Sequence, residues 1–176
     1  MPQSLYDKPE IEYLDGRAYP KVSPKFNHSL AQGALIAILQ RCGKDRGFTG
    51  PELRLDPGRI DRTKTEFVPD VSFVSFERLK GLDAEDKQKP PFSPDIAVEV
   101  RSPSDDLRFP AAKIQRYLRT GSILVLDVDT ERRAIRAHAA AGVREFAQNE
   151  PFECPEVPWL RFDVYEVFEK IDLLDG

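Results

Sequence analysis

The order of candidate helices and strands predicts a single α/β (α+β) domain built on a mixed β-sheet. A helix and several strand-like segments follow one another with no linker between them, which is typical of a sheet with helices packed against it. Residues 123–128 (ILVLDV) form a short, almost wholly apolar run, as expected for a central strand covered on both faces. With 176 residues the chain is long enough to bury a core. We therefore expect one domain over residues 1–176.

The first elements are a hairpin and a long helix. Residues 11–20 (IEYLDGRAYP) alternate around Asp15-Gly16, a dipeptide that favours a tight hairpin turn. Ser23 is a suitable N-cap residue and Pro24 suits the first helical position. Apolar residues then recur at helical spacing up to Gly43, which predicts a helix that ends there.

Three strand-like segments come next, at residues 48–56, 67–76 and 95–101. They are rich in β-branched and aromatic residues, as strands usually are. The polar stretch 79–91 separates the second segment from the third. We expect these strands to belong to the same sheet as residues 123–128.

The second half of the chain contains a loop, a helix and a hairpin. Residues 102–110 (SPSDDLRFP) are predicted to form a loop or a loose first turn that leads into a helix ending near Gly121. Residues 134–140 and 143–147 suggest a hairpin. A short helix near 163–170 is expected to close the chain.

The composition indicates a soluble, cytoplasmic protein. Hydrophobic residues make up 40% and charged residues 32% of the chain, and no apolar run approaches the ~20 residues needed to cross a bilayer. The N-terminal residues lack the pattern of a signal peptide. Only two cysteines and two histidines are present, which argues against cysteine-rich zinc sites and histidine-rich centres. We expect no membrane association, and any bound metal should be held mainly by oxygen ligands.

The net charge of −4 is unevenly distributed. Residues 145–176 contain nine acidic and two basic side chains, so residues 1–144 carry a net charge of +3. A phosphate-binding surface in the larger part of the chain is therefore compatible with the overall charge.

The strand at residues 95–101 holds the most informative charged side chains. Because side chains alternate along a strand, Glu99 and Arg101 share the face opposite the apolar residues. Asp70, in the preceding strand segment, faces the same way if the two strands are neighbours. Two carboxylates ~4 Å apart repel each other by roughly 4 kcal/mol at an effective dielectric near 20. Such a pair has to share a proton, form a salt bridge with a basic side chain such as Arg101 or a nearby lysine, or bind a hard divalent cation.

The following helix offers Lys113 and Tyr117, which lie one turn apart at the edge of its apolar stripe. A lysine beside the carboxylates can orient or deprotonate a water, or hold a phosphate, although basic helix faces are mostly solvated. Glu52 is either an additional ligand or a surface carboxylate. His28 is either a partly buried structural residue or a base. The chain has no Gly-rich phosphate loop, no G-x-S-x-G and no H-E-x-x-H motif.

Several segments together resemble the PD-(D/E)xK restriction-endonuclease-like superfamily, and within it the Uma-type endonuclease family long classed as a domain of unknown function. The matching segments, with residue numbers in parentheses, are HSLAQGALIAIL (28–39), FVPDVSFV (67–74), PDIAVEVRSPSDDL (94–107), KIQRYLRTG (113–121) and LVLDVDTERR (124–133). The similarity extends roughly over residues 19–147, the expected core of the domain. It leaves residues 148–176 as an acidic C-terminal extension.

The resemblance implies a restriction-endonuclease-like mixed sheet flanked by helices, a Mg²⁺ or Mn²⁺ cofactor and a homodimer. Asp70 and Glu99 match the metal-binding acids, and the Val100 carbonyl is the expected further ligand. Arg101 stands where the wider superfamily has its lysine, and it stays protonated, so its expected role is to stabilise phosphate charge. Lys113 matches the lysine that this family branch places on the following helix.

The function expected from this resemblance is Mg²⁺-dependent hydrolysis of nucleic-acid phosphodiester bonds, with DNA as the substrate. The alternative is a catalytically inactive nuclease-fold module that binds nucleic acid or protein. The alternative is favoured by Arg101, by the acidic C-terminal extension and by Pro110, a residue that disrupts helices, where the family continues a helix. A third possibility is that the resemblance holds and the substrate is RNA or a small phosphodiester.

Overall fold

The structure is a computed structural model that describes residues 10–21, 24–101 and 108–176. The chain begins with the hairpin β1 (Ile11–Leu14) and β2 (Arg17–Pro20), whose strands pair antiparallel. The hairpin joins the rest of the molecule through backbone hydrogen bonds in both directions between Tyr13 and Glu66. This confirms the predicted hairpin around Asp15-Gly16.

Six strands form the central sheet. In chain order they are β3 (Gly47–Pro51), β4 (Val71–Ser75), β5 (Ile96–Arg101), β6 (Leu124–Asp129), β7 (Ala134–Ala139) and β8 (Gly142–Ala147). Their spatial order follows the chain, with β5 and β6 parallel and every other pair antiparallel. The mixed sheet is therefore confirmed, and β6 occupies the central position that its apolar sequence predicts.

Helices lie on both faces of this sheet, with α1 (Phe26–Gly43) and α6 (Tyr165–Asp175) on one face and α5 (Arg108–Arg119) on the other. The other helices of the described residues are short: α2 (Gly58–Asp61), α3 (Phe76–Lys80) and α4 (Ala84–Gln88). The larger core lies between the sheet and α1 and α6, where Leu35 and Phe168 are fully buried. A smaller cluster lies on the opposite face, where Ile114 and Tyr117 of α5 pack against Phe67 and Val125. No helix in the described part of the chain is long and apolar enough to span a membrane.

Two strands are shorter than the sequence pattern predicts. β3 ends at Pro51 because Glu52 adopts a φ of 49°, which turns the chain away from the strand. β4 begins only at Val71, and Phe67 takes part in an isolated bridge with Leu55. The polar stretch 79–91 overlaps the end of α3 and contains α4.

The acidic C-terminal segment contributes to the core. It contains the strand pair β9 (Pro151–Glu153) and β10 (Arg161–Asp163), followed by α6. Phe152 is fully buried and stacks on Phe162 with ring centroids 4.7 Å apart. Apolar side chains of this segment thus pack on the sheet while its carboxylates remain at the surface.

Pro110 bears on the position of Lys113. The described part of α5 runs from Arg108 to Arg119 and includes Pro110. Pro110 is therefore compatible with this helix. The expected N-cap Ser23 and most of the predicted loop, residues 102–107, lie outside the described residues.

Candidate active site

The structure brings the carboxylates of Asp70 and Glu99 to neighbouring strands on one face of the sheet. Val71 of β4 pairs in register with Val98 of β5. Asp70, which immediately precedes β4, and Glu99 of β5 are the next two residues to face each other beyond this pair. The Val100 N–H donates a hydrogen bond of 2.7 Å to Asp70 Oδ2. This bond fixes the Asp70 side chain against the end of β5.

Asp70 is surrounded by hydrogen-bond donors. Lys21 Nζ lies 3.1 Å from its Oδ1, and His28 Nε2 lies 3.1 Å from its Oδ2. Burial by itself would raise the pKa of Asp70, but the His28 hydrogen bond and the Lys21 charge outweigh it and lower that pKa to about 2. Asp70 is therefore ionised throughout the physiological pH range.

Glu99 is in a different electrostatic environment. Its Oε1 accepts hydrogen bonds from Lys113 Nζ at 2.7 Å and from the Tyr117 hydroxyl at 2.6 Å. Burial raises the pKa of Glu99 to about 7, against the opposing effect of Lys113 and with a further increase from the charge of Asp70. Protonated and ionised Glu99 are thus both populated near neutral pH.

Lys113 lies between two glutamates. Its Nζ is 2.6 Å from Glu12 Oε1 and 2.7 Å from Glu99 Oε1, and the side chain is only 3% exposed. Burial by itself would lower the pKa of Lys113, but the two carboxylates more than offset this and raise it. Lys113 is therefore a fixed cation, and it is not suited to act as a general base near neutral pH.

Carboxylates outnumber lysines among the described residues of the site. Its three carboxylates (Glu12, Asp70 and Glu99) face two lysines (Lys21 and Lys113). When Glu99 is ionised, one carboxylate charge is not balanced by a lysine. Either a proton on Glu99 or a bound cation can supply the missing charge.

These residues fit one mode of metal binding. Within residues 10–21, 24–101 and 108–176, no group of three or more histidine, cysteine, aspartate or glutamate side chains is arranged to hold an ion. Glu52 is exposed just beyond β3 and is not part of such a group. Two adjacent carboxylates still match Mg²⁺, which is often bound through one or two carboxylates, with waters and substrate phosphate completing the shell. The donor set therefore fits a hard divalent ion held by the two carboxylates, with waters as its other ligands until substrate phosphate replaces some of them.

Arg101 lies on the same face of β5 as Glu99 and is held by Asp127 of β6. Its Nε and Nη2 both donate to the Asp127 carboxylate. Burial would raise the pKa of Asp127, but the neighbouring His138 and Arg101 lower it. Arg101 is thus fixed as a cation beside Glu99, although part of its charge is balanced by Asp127.

Comparison with known proteins supports the fold and identifies the family. The sequence profile of the Uma2 family, described as "Putative restriction endonuclease", matches residues 1–164. The chain belongs to the Uma2 family. The crystal structure of a putative nuclease of the DUF820 family from Anabaena variabilis superposes on this Uma2 chain with a TM-score of 0.79 at 20% sequence identity. The superposition covers 92% of this chain and 90% of that chain. A search of curated proteins gave no match.

Sequence reasoning missed three charged residues of this Uma2 site: Glu12, Lys21 and Asp127. A signal for Glu12 exists, because it shares the inward face of β1 with the buried Leu14. A signal for Asp127 exists too, since it interrupts the apolar run of the central strand β6. Lys21 follows β2 and had no distinguishing pattern. The predicted roles of Asp70, Glu99, Val100, Arg101, Lys113 and Tyr117 stay predictions.

The raised pKa of Glu99 predicts that the Uma2 protein loses stability as the pH rises. The folded protein holds a proton on Glu99 up to about pH 7, whereas the unfolded chain releases it near pH 4.5. The free energy of unfolding should therefore fall as the pH rises between these values. In Glu99→Gln this decrease should be smaller, as measured by urea unfolding in a series of buffers.

The matched control is Glu169→Gln, which changes an exposed carboxylate on α6. It should keep the pH dependence of the wild type. The explanation fails if Glu99→Gln and the wild type show the same slope over this range.

Proposed function

We propose that this chain is a metal-dependent nuclease that hydrolyses phosphodiester bonds, with DNA as its substrate. The observation that carries the proposal is the pair of carboxylates, Asp70 and Glu99, beside the cations Lys113 and Arg101. Membership of a family described as "Putative restriction endonuclease" supports it independently. Metal-dependent phosphodiester hydrolysis uses a divalent cation site and nearby positive charge to stabilise the phosphate in the transition state.

The residues have distinct roles in this proposal. Asp70 and Glu99 would hold Mg²⁺ or Mn²⁺, with the Val100 carbonyl as a further ligand. A bound ion of this kind polarises a phosphate oxygen and lowers the pKa of a coordinated water. Lys113 and the Tyr117 hydroxyl orient the Glu99 carboxylate through its Oε1. Arg101 supplies positive charge on the same face.

Metal titration tests the site without requiring the correct substrate. Calorimetric titration of Mn²⁺ into the wild type at pH 8 should show about one equivalent bound, a stoichiometry expected for one carboxylate pair. The same titration should show no binding in Asp70→Asn or Glu99→Gln. A wild type that binds no Mn²⁺ at millimolar concentration would contradict the metal site.

One observation favours the alternative, a nuclease-fold module that binds nucleic acid without cutting it. Lys21 and Lys113 already contact the two carboxylates, so a bound ion has to compete with them. Such a module would bind DNA with an affinity that falls steeply as salt rises. It would do so without cleavage at any Mn²⁺ concentration.

A further inference from the structure

A cavity of about 260 Å³ adjoins the carboxylate site at the beginning of α1. It is bounded on one side by Lys25 and the first turn of α1, and on the other by Arg101 and the turn that follows β6. Pockets for drug-sized ligands typically have volumes of about 300–1,000 Å³, so this cavity is smaller than most of them. It therefore suits a small group better than a whole nucleoside.

The cavity wall carries two cationic side chains, Lys25 and Arg101, and one anionic side chain, Glu131. Asp127 balances part of the Arg101 charge, so Lys25 is the main positive side chain of the wall. Lys25 is exposed and forms no ion pair with any described residue. Arg101 is kept in place by Asp127, so its charge stays at the cavity wall.

The helix adds polar groups to the same cavity. The first backbone N–H groups of a helix have no partner within the helix and carry partial positive charge. After Lys25, the cavity wall continues with residues 26–28, which form the first turn of α1. This turn contains no acidic side chain. The free backbone N–H groups and the Lys25 side chain thus present the same sign of charge.

His28 connects this cavity to the carboxylate site. Its Nε2 contacts Asp70, while its Nδ1 is buried and has no hydrogen-bond partner among the described atoms. A buried polar atom without a partner is costly, and His28 is also part of the cavity wall. A group bound there would lie one side chain away from Asp70.

We propose that this cavity, the phosphate cavity, binds a phosphodiester group of the nucleic-acid backbone next to the bond that is cut. The inference rests on the proposed nuclease function and adds a second contact between the protein and its substrate. In this arrangement Lys25, Arg101 and the N-terminal turn of α1 hold one phosphate while the Asp70–Glu99 pair acts on its neighbour. Holding two successive phosphates fixes the position of the backbone relative to the carboxylates.

The test compares Lys25→Gln with Lys44→Gln in buffer containing EDTA, so that neither metal nor cleavage is involved. Lys44 is an exposed lysine at the opposite end of α1, and its substitution removes the same charge. In the first arm, inorganic phosphate is titrated into ¹⁵N-labelled protein and amide shifts are followed by NMR. In the second arm, binding of duplex DNA is followed by fluorescence anisotropy at several salt concentrations.

We expect phosphate to shift the amide resonances of residues 26–28 in a saturable way in the wild type and in Lys44→Gln. In Lys25→Gln these shifts should be absent. For DNA, Lys25→Gln should weaken binding and reduce the slope of log K against log salt by about 1, the effect of losing one phosphate contact. Lys44→Gln should keep the wild-type slope.

Two results would overturn the proposal. One is the absence of localised shifts with phosphate. The other is phosphate binding without any difference in DNA binding between the two variants, which would identify a site for free phosphate only. Failure of metal binding or cleavage would count against the nuclease function but leave these measurements unaffected.

Discussion

Glu99→Gln is expected to lower nucleic-acid cleavage by at least about 1,000-fold, equivalent to about 4 kcal/mol of transition-state stabilisation. The substitution keeps the shape of the side chain but removes the charge that would bind the ion. The measurement is nicking of supercoiled plasmid DNA in Mn²⁺, with circular dichroism to confirm the fold. Asp70→Asn should have an effect of similar size, because it removes the other carboxylate of the pair.

The control for this experiment is again Glu169→Gln, which should keep wild-type activity. Because Asp70 accepts hydrogen bonds from Lys21, His28 and the Val100 N–H, its variant also needs an unfolding curve. Retained cleavage in both Glu99→Gln and Asp70→Asn would show that the reaction does not depend on this site.

Lys113→Met is expected to destabilise the protein by about 3–5 kcal/mol, the cost of removing one partner from a buried ion pair. Lys113 is nearly inaccessible to solvent and contacts both Glu12 and Glu99. Its loss leaves two carboxylates facing each other without a cation. Urea unfolding at pH 8, where Glu99 is mostly ionised in the wild type, measures the difference in free energy of unfolding.

A double-mutant cycle separates this electrostatic cost from loss of packing. Adding Glu12→Gln to Lys113→Met should recover part of the lost stability, since one of the two unpaired charges is removed. Lys170→Met, at an exposed position of α6, should change stability by less than about 0.5 kcal/mol. A cost below about 1 kcal/mol for Lys113→Met would contradict the view of Lys113 as a buried, charged residue.

The alternation of side chains made part of the site predictable. In residues 96–101 every second residue is apolar, so the face that carries Glu99 and Arg101 follows from the period of a strand. The same reasoning placed Asp70 with Glu99 once the two strands were assumed to be neighbours. Helical spacing likewise placed Lys113 and Tyr117 one turn apart on α5.

The ion pairs of the site were not predictable from local patterns. Glu12 and Lys113 are 101 positions apart, and Arg101 and Asp127 belong to neighbouring strands connected by α5. Local sequence gives the faces of elements but does not give the register between distant strands. The early end of β3 was missed for a different reason, since the positive φ of Glu52 has no local signature such as glycine.

The N-terminal hairpin provides two charged residues of the site, so the site is complete only while the hairpin is attached. β1 supplies Glu12, and the residue after β2 supplies Lys21. The hairpin is attached to the body of the fold by the Tyr13–Glu66 bridge and by the Asp15–Arg116 ion pair, among other contacts. If the hairpin detaches, Lys113 and Asp70 each lose a partner of opposite charge. A ligand that binds only the assembled site therefore stabilises the attached hairpin. The size of the effect is set by the difference between the ligand's affinities for the protein with the hairpin attached and detached. Slower hydrogen exchange of the hairpin amides would then report occupancy of the site.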